Sequence, residues 1–472
     1  MSTSTATGFC RVTVVAPDSR VDVALPDDVP LADLRPEILR LTGHTQPAGT
    51  PTGHHLVRRD GTILDSARSL AAQRVLDGEL LALRPFAESL PPAVHDDVTD
   101  AVAAVAADRA LWTGRLLRAC GLSGGALLLA LTACVLWFAE PRRHDMHGLP
   151  GAVAATVGVP LAVLAGVRAR IYADRACAVA LGLAALPQLM TAGSGLVAPP
   201  AGEGAGRLQF LLGCAAVLVA SAALVAALPA ADAPFVAAVT AAATGCLAAF
   251  CTILTGARPA DAAAVCAVVA LGALAFLPGL SARAARLPIG YTAPRAGGGD
   301  TPGDDRAPAV DADAIAARVR RGHQLLLGLV GGCSAVVTGS AAVLAFSAGP
   351  WERLLALAAG LAMLLRARLF RYTTQVAAVL GAGFAALVLL TLGLSLHPPA
   401  GHGADIRTLW LAAAVTAGGA LLTAVALIVP RKGLSPFWGR AADLAESALL
   451  LALVPLCLAV LGVYGTARGL AA

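Results

Sequence analysis

The chain is expected to fold as an α+β head joined to an all-α polytopic membrane domain, and three observations predict this. A charged N-terminal segment of roughly 90 residues alternates apolar and polar positions between turn residues, as short strands do. From about Leu116 onward, about eleven stretches of roughly 20 residues, rich in Ala, Leu, Val and Gly, recur between short Arg-, Pro- or Gly-marked breaks. Each is long enough to cross a hydrocarbon layer of ~30 Å. The mean hydropathy of +0.74, with 57% hydrophobic and 14% charged residues, excludes an ordinary soluble globule of 472 residues.

In the head, residues 1–88, Phe9 to Val15 alternates as a strand, and Arg20 to Leu25 does so again after a Pro17-Asp18-Ser19 turn. Leu31, Leu34, Ile38 and Leu41 then share one face of a helix that Gly43 stops, with Pro36 expected in its first turn. His55 to Gly61 reads as a strand entering a turn, and Glu79 to Pro85 as the last strand after an Asp77-Gly78 turn. Strand, strand, helix, strand, short strand or turn, strand is the order of a β-grasp, and the head resembles a ubiquitin-like domain. It holds no lysine for chain building and no free Gly-Gly tail, which favours a docking module over a conjugation tag.

A linker is expected over 89–118. Leu90-Pro91-Pro92 and the acidic Asp96, Asp97 and Asp100 open it, and Val98 to Leu117 can form an amphipathic helix anchored by Trp112, Arg115 and Arg118.

The membrane domain, 119–472, has expected spans at roughly 119–139, 148–167, 175–193, 208–228, 233–254, 261–281, 324–346, 350–366, 373–394, 407–429 and 445–467. Pro187 and Gln188 interrupt the third. The first residues, Met1 to Phe9, show no signal-peptide pattern, so the head is expected to be cytoplasmic in a bacterial inner membrane and the C-terminus outside. Sixteen Arg and Lys then fall on the inside against seven outside, with the Arg142-Arg143 pair as the exception. A long inside loop near 282–322 carries Gly297-Gly298-Gly299 and Asp304-Asp305; it is expected to be disordered up to Asp311 and helical beyond.

The net charge of +5 is not a nucleic-acid signal, because the arginines cluster between spans and no basic helix with interleaved aromatics occurs. No phosphate loop, HExxH helix or GxSxG elbow is present, so no enzymatic activity, cofactor or metal is expected. His144, His147, His397 and His402 lie in short outside loops and read as solvated residues; most cysteines lie in spans and read as small apolar fillers. Gln188 and Gln375 are the polar groups nearest mid-membrane, whereas Asp261, Asp443 and Glu446 sit at span entrances. Gly124-Gly125, Gly331-Gly332, Gly381 and Gly383 read as close helix packing. Leu434 to Arg440, with Trp438 and Arg440, suits the cytoplasmic interface; Asp443 and Glu446 follow on one helical face, either as an anchor or as a partner-facing patch.

A ubiquitin-like head, a short linker and about eleven spans resemble the EccD family of type VII (ESX) secretion systems. The most specific local piece is Ser435-Pro436 to Glu446; Arg258-Pro259-Ala260-Asp261 and Leu277-Pro278-Gly279-Leu280-Ser281 also resemble the family. The resemblance implies a non-enzymatic core subunit whose head contacts an FtsK/SpoIIIE-like EccC-type ATPase. It also implies a homodimer that encloses a lipid-filled space, beside EccB-type and EccE-type subunits. Arg35, Arg58 and Arg59 are the candidate docking residues of the head. The alternative is a small-molecule transporter with a regulatory cytosolic domain.

Overall fold

Alternation in the head produces a four-stranded mixed sheet. The computed structural model describes residues 8–16, 19–43, 53–58, 60–85, 113–140, 142–200, 203–228, 232–287, 312–397, 403–432 and 435–466. Contacts divide the chain into two units, Met1–Leu111 and Trp112–Ala472.

In the first unit, β1 (Phe9–Val15) pairs antiparallel with β2 (Arg20–Pro26), α1 (Leu31–Leu41) crosses over, and β3 (His54–Arg58) pairs antiparallel with β4 (Glu79–Pro85). β4 lies parallel to β1, giving the order β2-β1-β4-β3. This is the β-grasp expected from the element order. Where a short strand or turn is expected, a single bridge joins Val57 to Ile63. Because period-2 alternation sends every second side chain inward, Val12, Val14, Leu81 and Leu83 meet Leu31 and Ile38 of α1 in one core. Pro36 lies in the second turn of α1 rather than the first, since the helix starts at Leu31 directly after Pro30.

The second unit is all helical: α2 (Gly114–Trp137), α3 (Leu149–Arg170), α4 (Arg175–Ser194), α5 (Arg207–Ala227), α6 (Ala233–Thr255), α7 (Pro259–Ala273), α8 (Leu277–Ala284), α9 (Ala312–Ala345), α10 (Pro350–Arg366), α11 (Thr373–Leu396), α12 (Gly403–Lys432) and α13 (Pro436–Val460). Among the described residues nine helices are long and apolar enough to cross a membrane, or ten if α7 and α8 form one broken span. That differs from about eleven for two physical reasons. The expected 261–281 span bends by 68° before Pro278, and α10 has 17 residues, so it rises only ~25 Å. The helix expected from Asp311 begins at Ala312, whereas the loop before it and the 98–112 part of the amphipathic segment lie outside the described residues.

Three apolar clusters form among the described residues of this unit. One joins α7 to α11 with α13, and smaller clusters join α3, α4, α5 and α6. α9 connects them by packing against α6, where Gly328 and Gly332 let the helices close. A Cβ on Gly332 would lie 2.5 Å from the Thr240 Cβ, and one on Gly328 2.6 Å from that of Val236. Gly383 likewise faces Leu364, but Gly124, Gly125 and Gly381 face open space, contrary to expectation.

Candidate functional site

The described charges of the membrane domain gather at helix ends, in two belts. In one belt Arg118 at the start of α2 pairs with Asp174 (2.5 Å), and Arg170 donates to the Ala226 carbonyl. Arg321 of α9 meets Asp232, the fully buried residue before α6. Arg366, at the end of α10, donates to Glu446 (2.9 Å), and Arg368 forms an ion pair with Asp443 (2.9 Å). In the other belt Arg207 donates to the carbonyls of Thr252 (2.9 Å) and Gly256 (3.2 Å). Arg258 binds Asp261 (2.7 Å), Glu352 (3.7 Å) and the Val460 carbonyl (2.9 Å), tying the starts of α7 and α10 to the end of α13. Carbonyls at a helix C-terminus lack intrahelical partners, so cationic donors are well placed there. The ends that meet in each belt are those an alternating series of crossings brings together.

Between the belts the bundle is apolar. Gln188 is buried in α4 and donates from Nε2 to the Leu129 carbonyl (2.6 Å) and to the Thr132 hydroxyl of α2. Its amide therefore acts as a helix-to-helix tie. Among the described residues no group of three His, Cys, Asp or Glu could hold a metal. His144 stacks on Trp137 (5.1 Å between centroids), and His147 bonds the Gly195 carbonyl (3.0 Å). His402 lies outside the described residues.

α12 is the outlier. None of its described side chains is buried, and it packs extensively against no other helix. Arg407 ties its start to the carbonyls of Leu394 (2.8 Å) and His397 (2.9 Å) at the end of α11. α2 is nearly as bare, with Ala133 its sole buried residue. Of the described spans, these two bury the smallest share of their residues.

In the head, Arg35, Leu31 and Ile38 of α1 line a cleft of about 200 Å³ with His55, Asp65 and Ser66. Arg58 is committed internally, to the Gln73 carbonyl (2.6 Å) and to Glu79 (3.3 Å). Arg59 lies outside the described residues. Burial, then the charges of Asp77, Asp27 and Glu79, pushes the Cys10 thiol above its ordinary range. At the other site, Trp438 and Arg440 are exposed and Phe437 stacks edge-on with Trp438 (5.7 Å).

Residues 117–470 match the family model described as the EccD-like transmembrane domain. The chain belongs to the EccD family. The EccD head, residues 9–83, matches the model of YukD, a protein of the WXG100 secretion system, so the ubiquitin-like reading holds together with the membrane domain. The ESX-4 secretion system protein eccD4 of Mycobacterium tuberculosis, from strains CDC 1551 / Oshkosh and ATCC 25618 / H37Rv, is 29% identical over 98% of both chains. Protomer 1 of the ESX-3 core complex shares the fold, with TM-score 0.59 and 22% identity over 97% of this chain and 100% of that one. A chain of the MycP5-free ESX-5 inner membrane complex gives TM-score 0.54 and 22% identity over 88% and 99%.

Asp443 and Glu446 do share a face, and both are paired with arginines of the same chain. Sequence reasoning missed Asp232 and Glu352. Each carried a helix-start signal, as Asp232 precedes Ala233-Pro234 and Glu352 stands three residues after Gly349.

Proposed function

We propose that this EccD-family protein is a non-catalytic core subunit of a type VII (ESX) secretion complex in a bacterial inner membrane. The observation that carries the reading is one chain joining a YukD-like head to an EccD transmembrane domain, matched end to end by an ESX-4 protein. The spans form a scaffold that dimerises and receives EccB-type and EccE-type subunits. The bare faces of α2 and α12 suit this role, because exposed apolar helix surface serves lipid and partner helices alike. The head faces the cytoplasm and docks an EccC-type FtsK/SpoIIIE-like ATPase, which supplies the energy for export.

Arg35 and Arg59 are the docking residues we favour in the head. Arg58 supports them through its tie to Glu79. At the membrane, Trp438 and Arg440 form a second contact, and Asp443 and Glu446 position it by holding the start of α13 against α10.

Native pull-down of the tagged full chain from mild detergent, with mass spectrometry, tests the reading. Recovery in a very large assembly with an FtsK-like ATPase is expected, and R35E/R59E should lower the ATPase yield while the head stays folded. A lone monomer or dimer across several detergents overturns the assembly; unchanged ATPase recovery from the variant overturns the docking site.

A further inference from the structure

A half-open groove of about 550 Å³ lies between α5, α6, α7 and α9 of a single chain. That volume falls within the roughly 300–1,000 Å³ of small-molecule sites. Gly245, Ala248 and Ala249 of α6, Ala262 and Ala263 of α7 and Gly339 of α9 line it, so small side chains leave the space open. Gly339 is informative, because a Cβ built there meets nothing within 4 Å. Close packing therefore does not explain that glycine.

The mouth of the groove differs from its walls. Arg207, the first residue of α5, lines that end and is exposed. Its guanidinium is held by the Thr252 and Gly256 carbonyls, which do not cancel its charge. Among the described residues it forms no ion pair, whereas Arg258, two residues after Gly256, is matched by Asp261 and Glu352. One fixed, uncompensated cation above an apolar slot has the polarity of an anionic amphiphile in reverse.

We propose that this groove holds one acyl chain of an anionic glycerophospholipid whose phosphate rests on Arg207. The site lies within one chain and does not depend on the proposed assembly. An acyl chain gains nothing by hydrophobicity alone in leaving the bilayer, because lipid tails are as apolar as leucine. Retention therefore depends on fit in the slot, and selectivity on the headgroup. A basic residue near the surface favours an anionic lipid by about 1 kcal/mol, or about five-fold.

Native mass spectrometry of the full chain, delipidated and titrated with phosphatidylglycerol or phosphatidylcholine, tests this. One retained phosphatidylglycerol per chain is expected, about five-fold above phosphatidylcholine. Gly339→Leu and, from the opposite wall, Ala248→Leu should abolish retention of both lipids, while Arg207→Gln should remove the preference alone. Gel filtration of each variant confirms folding. Equal retention of the two lipids by the unaltered chain overturns the headgroup assignment. Undiminished retention by both folded groove-filling variants overturns the site.

Discussion

Removing Glu446 should cost far more than removing its neighbour Asp443, although the two carboxylates stand one helical turn apart. Glu446 is 15% exposed and its partner Arg366 9%, whereas Asp443 and Arg368 are 67% and 39% exposed. The Nε of Arg366 already lacks a hydrogen-bond partner, so Glu446 supplies its main compensation. Breaking a buried pair from one side strands a charge and costs about 3–5 kcal/mol. An exposed pair contributes about 0.2–1 kcal/mol. Equilibrium unfolding of the full chain in mixed micelles, titrated with sodium dodecyl sulfate, should thus separate Glu446→Ala from Asp443→Ala by at least about 2 kcal/mol. The double variant R366M/E446L should recover most of the loss, because an apolar pair of similar volume removes the desolvation penalty. Equal costs for the two alanine variants would refute the reasoning, and with it the role of burial in this belt.

Three further outcomes are expected. Gly332→Val should destabilise the α6–α9 contact by about 1–3 kcal/mol in the same titration, since the new Cβ would sit 2.5 Å from Thr240; Gly124→Val, which meets nothing, should be near neutral. Arg58→Ala should lower the stability of the isolated head by about 1–2 kcal/mol in a thermal melt, by loss of the Gln73 and Glu79 contacts in a half-buried setting. Cys10 should react with iodoacetamide near neutral pH much more slowly in the folded head than in urea, because burial raises its pKa and depletes the thiolate. Native labelling as fast as in urea would contradict its placement in the core.

The head was legible because a two-sided strand writes its burial into alternate residues: Val12 and Val14 face in while Arg11 and Thr13 face out. Span existence was legible from length and apolarity. Span geometry was read less well: the 68° break between Ala273 and Leu277 was missed, although Pro278 at the start of α8 marks a helix start there. The Asp443–Glu446 face was legible from i, i+3 spacing, but its meaning was not. Its partners stand at Arg366, the last residue of α10, and at Arg368 in the turn after it, far away in sequence from α13. Gly332 read as a packing residue, yet Gly124 read the same way and faces open space. A glycine alone does not announce which helix, if any, comes close.

Arg258 has a consequence for how the protein is made. Its first partner, Asp261, is synthesised three residues later, and Glu352 follows on a distant helix. The Val460 carbonyl comes 202 residues after Arg258. At ~5–20 residues per second, ~10–40 s of translation separate the guanidinium from its last acceptor. During that interval the nascent chain already carries Asp261 as a counter-ion three residues away, so the arginine can wait at the bilayer edge without a bare charge. Arrival of the final helix end then closes a latch set when half the bundle did not yet exist.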